Sequence, residues 1–189
     1  MKILVCVKVI QGEINPFDAS ALECALTLSS NVTVVSMGPE KTKETLLPLT
    51  RLGAKVVLIS DNIYAGSDTL ATSYILSEAI KKMEYDLILC GRQSVDGDTA
   101  QVGPLLSEKL SIPLMTGAMS VEADSDFVLV KTRDGEEKLS LPALVTVERG
   151  YILRFPSIFS KQGTVEVLDN SAVGADLSKC GTEGSPTRV

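Results

Sequence analysis

Four continuous apolar runs constrain the fold of this chain more than any other feature. They are rich in β-branched residues and lack polar alternation, which is the pattern of strands covered on both faces. Segments with apolar residues at helical spacing lie between them, at 18–29, 40–52 and 68–83. This alternation predicts right-handed crossovers and a three-layer α/β fold with an open, mainly parallel sheet. The runs are KILVCVKVI (2–10), VTVVSMG (32–38), AKVVLIS (54–60) and DLILCG (86–91).

Pro48 and Asp68 refine the prediction for the second and third helical segments. Pro48 lies inside the second helical segment, where its ring and missing N–H predict a kinked or short helix. Asp68 precedes the third segment and is a suitable N-cap.

The pattern changes after residue 112. FVLVKTRDGEEKLSL (127–141) alternates about an Asp-Gly pair, which predicts an antiparallel hairpin, and PALVTVE (142–148) is expected to pair with it. From about residue 150 onward, polar and turn-forming residues are frequent and apolar ones sparse. We therefore expect an α/β domain over 1–149 and an extended C-terminal arm over 150–189 that has no core of its own.

Composition excludes several classes of protein. With 189 residues, 44% hydrophobic and 22% charged, the chain has enough apolar material for one globular core. The net charge of −6 and 4% aromatic content argue against nucleic-acid binding. The opening apolar run is only about one strand long, and no run approaches the roughly 18 residues of a membrane span. A cytoplasmic location is expected.

The cysteines and the missing histidine limit the chemistry. The four cysteines show no C-x-x-C spacing, which favours reduced thiols over a metal site or a disulfide framework. Histidine is absent, and imidazole is the most common group in metal ligation and acid–base catalysis. We expect neither a metal nor a catalytic residue.

A polar stretch, CGRQSVDGDTAQVGP (90–104), follows the fourth predicted strand. In open parallel sheets, ligands bind beyond the carboxyl ends of strands, which is where this stretch begins. Asp98 followed by Gln101 predicts a capping box that starts a helix at Thr99 and leaves its first N–H groups free for phosphate. The helix is expected to end at Leu110. A purely structural turn and cap remains an alternative for this stretch.

The glycines and acids of this stretch also have expected roles. Gly97 allows a tight turn, and Gly103 allows a flat ligand or another helix to approach closely. Asp96 and Asp98 are expected in turn and cap roles rather than as catalytic acids, because no nucleophile or base is evident beside them. The stretch matches neither a P-loop nor the dinucleotide fingerprint.

Two other strand ends are expected at the same rim. With strand order 3-2-1-4, the exits of the first two strands lie beside the polar stretch. Asn15 has an amide, and Met37 a backbone, that could contact an adenine edge. Asn15 before Pro16 is equally consistent with an ordinary helix-starting turn.

Four separated blocks resemble the β subunit of electron transfer flavoproteins, the family that includes FixA proteins. They are SMGP (36–39), GSDTLATSYILSEAIKK (66–82), YDLILCGRQSVDGDTAQVGP (85–104) and LPALVTVE (141–148), and the likeness extends from residue 1 to GSPTRV (184–189). The resemblance implies a HUP-like, Rossmann-like adenine-nucleotide-binding topology. It also implies a heterodimer with a flavin-bearing α subunit, in which the β subunit is an electron carrier and not an enzyme.

The resemblance implies a nucleotide at the rim, either FAD or AMP. Family members that serve acyl-CoA dehydrogenases hold AMP, whereas bifurcating members hold a second FAD that accepts electrons from NADH; the form VDGDTAQVGP favours FAD. The implied redox partner is an acyl-CoA dehydrogenase or another redox protein. The implied cofactor-binding residues are Cys6, Asn15, Pro16, Phe17, Asp18, Met37, Gly91, Arg92, Gln93, Ser94, Val95, Asp96, Gly97, Asp98, Thr99, Ala100, Gln101, Val102 and Gly103.

The sequence departs from the family pattern at partner-facing segments. VKVIQGEINPF (7–17) is shorter than the hairpin of relatives, and IFSKQGTVEV (158–167) is shorter and has a single lysine where relatives have a basic recognition helix. Relatives also continue beyond GSPTRV. The choice of partner is therefore open.

A second class of function also remains. A stand-alone AMP- or ATP-binding regulatory module of the universal-stress type would share the fold, but Gly91, Gly97 and Gly103 do not have its glycine spacing. An adenylating enzyme would need an S-G-G-x-D-S loop, which residues 8–15 lack.

Overall fold

A computed structural model of the protein describes residues 1–187. Its centre is a seven-stranded sheet in which every neighbouring pair is parallel. The strands, in spatial order, are β12 (Val165–Leu168), β5 (Lys55–Ile59), β4 (Val32–Met37), β1 (Ile3–Cys6), β6 (Leu87–Gly91), β11 (Ala143–Val147) and β7 (Leu114–Ala118). The order 3-2-1-4, which was the condition for placing three strand ends on one rim, is the order of β5, β4, β1 and β6.

Alternate residues of the central strand β1 enter opposite layers of the core. Ile3 and Val5 pack in the layer that contains Leu22, whereas Leu4 and Cys6 pack in the layer that contains Ile75. Because both faces of the sheet are covered, all four residues of β1 must be apolar, and an alternation of apolar and polar residues would not suffice. The predicted three-layer α/β fold is confirmed.

Helices cover the sheet on its two faces. The first layer contains α1 (Pro16–Leu28) and α2 (Thr42–Leu46), and the second contains α3 (Thr69–Ile80), α4 (Val102–Leu110) and α5 (Asn170–Val173). Pro48 falls in a 3-10 turn that follows α2 directly, so the predicted short helix is confirmed. Asp68 caps α3 as predicted, since its carboxylate accepts from the N–H groups of Leu70 and Ala71.

Two small antiparallel sheets flank the main sheet. The predicted hairpin is confirmed as β9 (Phe127–Lys131) and β10 (Glu136–Ser140), with β8 (Ser120–Ala123) beside β9. A two-stranded ribbon, β2 (Val9–Ile10) and β3 (Glu13–Ile14), follows β1. The expectation of one strand over 2–10 is therefore wrong, because β1 ends at Cys6 and the chain then folds back on itself.

The expected pairing of 142–148 with the hairpin is also wrong. Strand β11 lies in the main sheet, parallel to β6 and β7, and all five of its residues are buried. A strand of five buried residues needs cover on both faces, which the hairpin does not offer.

The C-terminal region has two parts. Residues 150–164 contain no regular element. From Val165 the chain adds edge strand β12 and then α5, and it buries Val173, Ala175 and Cys180 against the second layer. The division of the chain at residue 149 stays a prediction, and the last two residues of the predicted arm lie outside the described residues.

Candidate functional site

The predicted site lies at a switch point of the central sheet. The crossover after β1 passes through α1 on one face, whereas the chain after β6 enters α4 on the other face. A crevice opens between the carboxyl ends of two neighbouring strands wherever crossovers diverge in this way. The polar loop of residues 92–101 lies at this position, between β6 and α4.

Asp18 joins the two strand ends that form the crevice. This residue lies in the first turn of α1, and its carboxylate oxygens accept hydrogen bonds from the N–H groups of Lys8, at 2.8 Å, and Gly91, at 3.0 Å. Burial raises the pKa of the Asp18 carboxyl to about 7, although these N–H donors and Asn15 favour the ionised form. We call the Lys8–Asp18–Gly91 arrangement the carboxylate clasp.

Gly91 is required by the close approach of α1. A Cβ atom at this position would lie 2.7 Å from the Asp18 backbone nitrogen and 2.6 Å from the Phe17 carbonyl carbon. No side chain fits at those distances, so glycine allows the start of α1 to pack against the end of β6.

Asn15 holds the loop from the other side. The residue is buried; its Nδ2 donates to the Gln93 carbonyl at 2.8 Å and its Oδ1 accepts from the Val95 N–H at 3.3 Å. The amide expected to contact an adenine edge is thus engaged with the loop backbone. Asn15 and Asp18 are positioning residues in this structure, and a direct contact with a nucleotide stays a prediction for both.

Ion pairs fix the outer part of the loop. Lys8 Nζ lies 2.7 Å from the Asp96 carboxylate, and Arg92 Nη1 lies 2.8 Å from Glu148 Oε1. The first pair is about half exposed, and such pairs contribute roughly 0.2–1 kcal/mol. Lys8 and Glu148 were not among the predicted site residues; Lys8 interrupts the first apolar run with a charge, which was the available signal.

The predicted capping box is wrong. Helix α4 begins at Val102 rather than Thr99, and its cap residue Gln101 makes no side-chain cap hydrogen bond. The Asp98 carboxylate accepts from Gln93 Nε2, and Gln101 Oε1 accepts from the Thr69 hydroxyl, so neither side chain is available to the helix. Asp98 has a φ of 51° and Ala100 has a φ of 53°, which turn the chain sharply before the helix.

The start of α4 is nevertheless open. Among the described residues, the N–H groups of Val102 and Gly103 have no hydrogen-bond acceptor, and Pro104 has no N–H. The first N–H groups of α4 are therefore free, as expected. They are free because the helix has no side-chain cap, and not because a capping box starts it at Thr99. Helix termini of this kind attract anions.

Gly103 has a packing role. A Cβ atom there would lie 2.6 Å from Thr146 Cγ2 and 3.8 Å from Cys90 Cβ. Glycine thus allows α4 to pack against β11 and β6. Gly97 has no comparable contact, since its Cβ would meet nothing nearer than Ser94 Oγ at 3.5 Å.

The structure brings most of the predicted residues to one rim. The start of α1 meets the loop, Cys6 is buried at the end of β1 and Met37 is half-buried at the end of β4. Phe17 is half-buried under the Arg149 guanidinium at 5.7 Å, so its ring faces a cation of the protein. The loop residues from Val95 to Thr99 are exposed.

Two concave regions differ in position and size. A crevice of about 420 Å³ adjoins the loop and includes Arg92, Ala100, Gly117, Arg133 and Glu148 in its lining. A larger groove of about 890 Å³ lies at the amino ends of the strands, far from the loop, and four lysines contribute to its lining. The smaller region is lined by Ala100 and Pro104, which flank the start of α4.

Two further findings concern the class of site. Across residues 1–187, no group of three or more Cys, Asp or Glu side chains is placed to hold a metal ion. No helix in that part of the chain has both the length and the apolar character needed to cross a membrane.

Comparison with known proteins supports the family assignment. The family model described as electron transfer flavoprotein domain matches residues 3–173 of the chain. The electron transfer flavoprotein subunit beta of Megasphaera elsdenii is 40% identical over 197 residues, covering 93% of this chain and 73% of the relative. The protein of the same name from Clostridium acetobutylicum is 40% identical over 192 residues, with the same two shares.

A third relative has a more specific name. The acryloyl-CoA reductase electron transfer subunit gamma of Anaerotignum propionicum is 40% identical over 199 residues, covering 93% of this chain and 74% of the relative. The chain therefore belongs to the electron transfer flavoprotein family and is of the β-subunit type.

Proposed function

We propose that this electron transfer flavoprotein subunit binds an adenine nucleotide at the rim formed by β1, β4 and β6. The open start of α4 is the observation that carries the proposal. The N–H groups of Val102 and Gly103 lack acceptors among the described residues, and the helix dipole adds partial positive charge at the same point. A phosphate group would supply the missing acceptors.

The proposed cofactor is FAD, with AMP as the smaller ligand of the same site. The crevice of about 420 Å³ lies beside the loop and is also lined by Gly117 and Arg133, so there is room for a ligand that extends past the loop on the β11 side. A bound flavin supplies the electron transfer itself. The residues of this chain bind and orient the nucleotide, so the subunit acts as an electron carrier and not as an enzyme.

The proposed partner is a flavin-bearing α subunit, and the heterodimer would exchange electrons with an acyl-CoA dehydrogenase or another redox protein. The names of the relatives describe subunits of larger assemblies. Four large apolar side chains in the 150–164 segment also support a protein partner, because they are 85–94% exposed. They are Ile152, Phe155, Ile158 and Phe159.

Two substitutions at opposite ends of α4 test the nucleotide site. Gln101→Asp places a carboxylate where the phosphate is proposed. Its charge should interact favourably with the helix dipole, raising the free energy of unfolding by about 0.3–1 kcal/mol, and it should weaken binding of AMP and FAD at least about tenfold, or 1.4 kcal/mol. The matched control is Ser111→Gly, since Ser111 has a φ of 54° at the other end of the helix. Glycine there should stabilise the chain without changing binding.

Isothermal titration of the two variants distinguishes the outcomes. If Gln101→Asp binds AMP and FAD as tightly as the unmodified chain, the start of α4 is not the phosphate site. If the chain binds AMP or ATP well but never associates with a flavin-bearing partner, the stand-alone regulatory module becomes the better account.

A further inference from the structure

The four cysteines are all free and buried, but their surroundings differ. Cys6 on β1 and Cys90 on β6 are directly opposite in the register of two hydrogen-bonded strands, and both side chains enter the same layer of the core. Cys24 lies in the opposite layer, on α1. Cys180 lies in the C-terminal region, where its thiol contacts the Asp176 carbonyl at 3.2 Å. Only the first two cysteines form a cross-strand pair in the described chain.

The spacing of neighbouring strands is compatible with a bond between the paired thiols. Adjacent strands lie about 4.7–4.9 Å apart, and disulfides span Cα separations of about 4.4–6.8 Å. Side chains of opposite residues in these parallel strands are separated by about the strand spacing of 4.7–4.9 Å, whereas the Cβ atoms of a disulfide lie about 3.5–4.5 Å apart. The strand ends would have to approach slightly, and a strained bond of this kind is readily reduced.

We propose that Cys6 and Cys90 are the site of a reversible disulfide that regulates the loop at 92–101. The oxidant is a peroxide. One thiolate attacks a peroxide oxygen, forming a sulfenic acid and releasing water or an alcohol; the second thiol then attacks the sulfenic sulfur and releases water. The two sulfur atoms lose two electrons in total, and the peroxide accepts them as its O–O bond breaks.

The link to the loop passes through the carboxylate clasp. Gly91 directly follows Cys90 and Lys8 lies two residues after Cys6, and both donate their N–H groups to Asp18. Drawing the strand ends together by up to about 1 Å, which the disulfide geometry requires, changes the separation of these two donors. The oxidised chain should therefore hold its loop less firmly.

The surroundings of Cys6 and Cys90 also predict how fast the two thiols are oxidised. The Cys6 thiol and burial both raise the pKa of the Cys90 thiol, so little thiolate is present at neutral pH. Oxidation should be slow at pH 7 and faster as the pH rises.

The test uses the full chain without nucleotide, treated with hydrogen peroxide and then with dithiothreitol. Mass spectrometry should detect a loss of about 2 Da, the mass of two hydrogens, and non-reducing peptide mapping should join the Cys6 and Cys90 peptides. Dithiothreitol should reverse both changes. The double variant Cys24→Ala/Cys180→Ala is the matched control and should behave in the same way.

Cys6→Ala and Cys90→Ala should each abolish the mass loss. The proposal is overturned if either single variant still forms the disulfide, if the bond joins Cys24 or Cys180, or if the unmodified chain keeps four free thiols. Hydrogen exchange should be faster at 92–101 in the oxidised chain than in the reduced one, and equal exchange would overturn the regulatory part. Because no nucleotide is present, these outcomes do not depend on the proposed function.

Discussion

Asp18 connects the first turn of α1 to the ends of two central strands. The resemblance placed it among the cofactor contacts, but both carboxylate oxygens accept backbone N–H groups of the protein. One partner lies two residues after β1 and the other ends β6, so both depend on the order of strands in the sheet and not on any local motif. The same holds for Asn15, whose amide bonds to a loop 78 residues away in sequence.

The buried carboxyl of Asp18 predicts a specific pH dependence. Its folded pKa is about 7 and its ordinary value is 3.8, so between about pH 4 and pH 7 the folded state holds a proton that the unfolded state has lost. The free energy of unfolding should therefore fall as the pH rises through this window, by at most about 4 kcal/mol.

Asp18→Asn is the comparison for this prediction, measured by urea denaturation at several pH values. The variant should be less stable overall, because its amide NH₂ faces a backbone donor, and the pH-dependent difference between the two proteins should follow the titration of Asp18. If the free energy of unfolding of the variant falls with pH as steeply as that of the unmodified chain, Asp18 does not titrate in this range.

Gly91 allows a second prediction at the same scale. Gly91→Ala should lower the free energy of unfolding by about 1–3 kcal/mol, because the added methyl group overlaps the first turn of α1. Gly97→Ala is the matched control, since its nearest atom would be 3.5 Å away. Thermal denaturation compares the two; equal midpoints would contradict the close packing of α1 against β6.

At the scale of elements, the apolar pattern predicted the central strands well and the later ones less well. ALVTV in β11 has the same unbroken apolar character as the first four runs, yet its position after a hairpin suggested an antiparallel partner. Strand β12 was not predicted, because it is short and only Val165 is buried, as suits an edge strand. The start of α4 was misplaced because the side chains of the expected capping box bond elsewhere.

The segment at 150–164 gives a prediction about an element. Arg154 donates to both oxygens of Glu23 on α1, with its shortest contact at 2.7 Å, and this pair anchors the segment to the domain. Arg154→Ala should release the segment, so chymotrypsin should cleave after Phe159 several-fold faster than in the unmodified chain. Residues 165–168 should stay protected, because they belong to the sheet.

Lys161→Ala is the control for this digestion. Lys161 lies in the same segment and forms no ion pair within residues 1–187. If both variants are digested at the rate of the unmodified chain, the Arg154–Glu23 pair does not anchor the segment.

At the scale of the whole molecule, strand order and crossover direction position the candidate site. Right-handed crossovers leave few arrangements for alternating strands and helices, which is why the order of four strands and the location of the rim could be predicted. The geometry inside the loop could not be predicted, because it depends on contacts from α1, β11 and α3 that meet only in the folded chain. The structure was also needed to show that large apolar side chains of residues 150–164 are exposed, because the composition of the segment does not reveal exposure.

Native mass spectrometry of this chain co-expressed with a flavin-bearing α subunit, followed by denaturation and identification of the released nucleotides, tests the nucleotide site and the heterodimer together. Our account predicts a heterodimer that releases two FAD molecules, one from each subunit. Release of one FAD and one AMP would support the nucleotide site in this chain but identify its ligand as AMP. A heterodimer without any nucleotide bound to this chain would contradict the account.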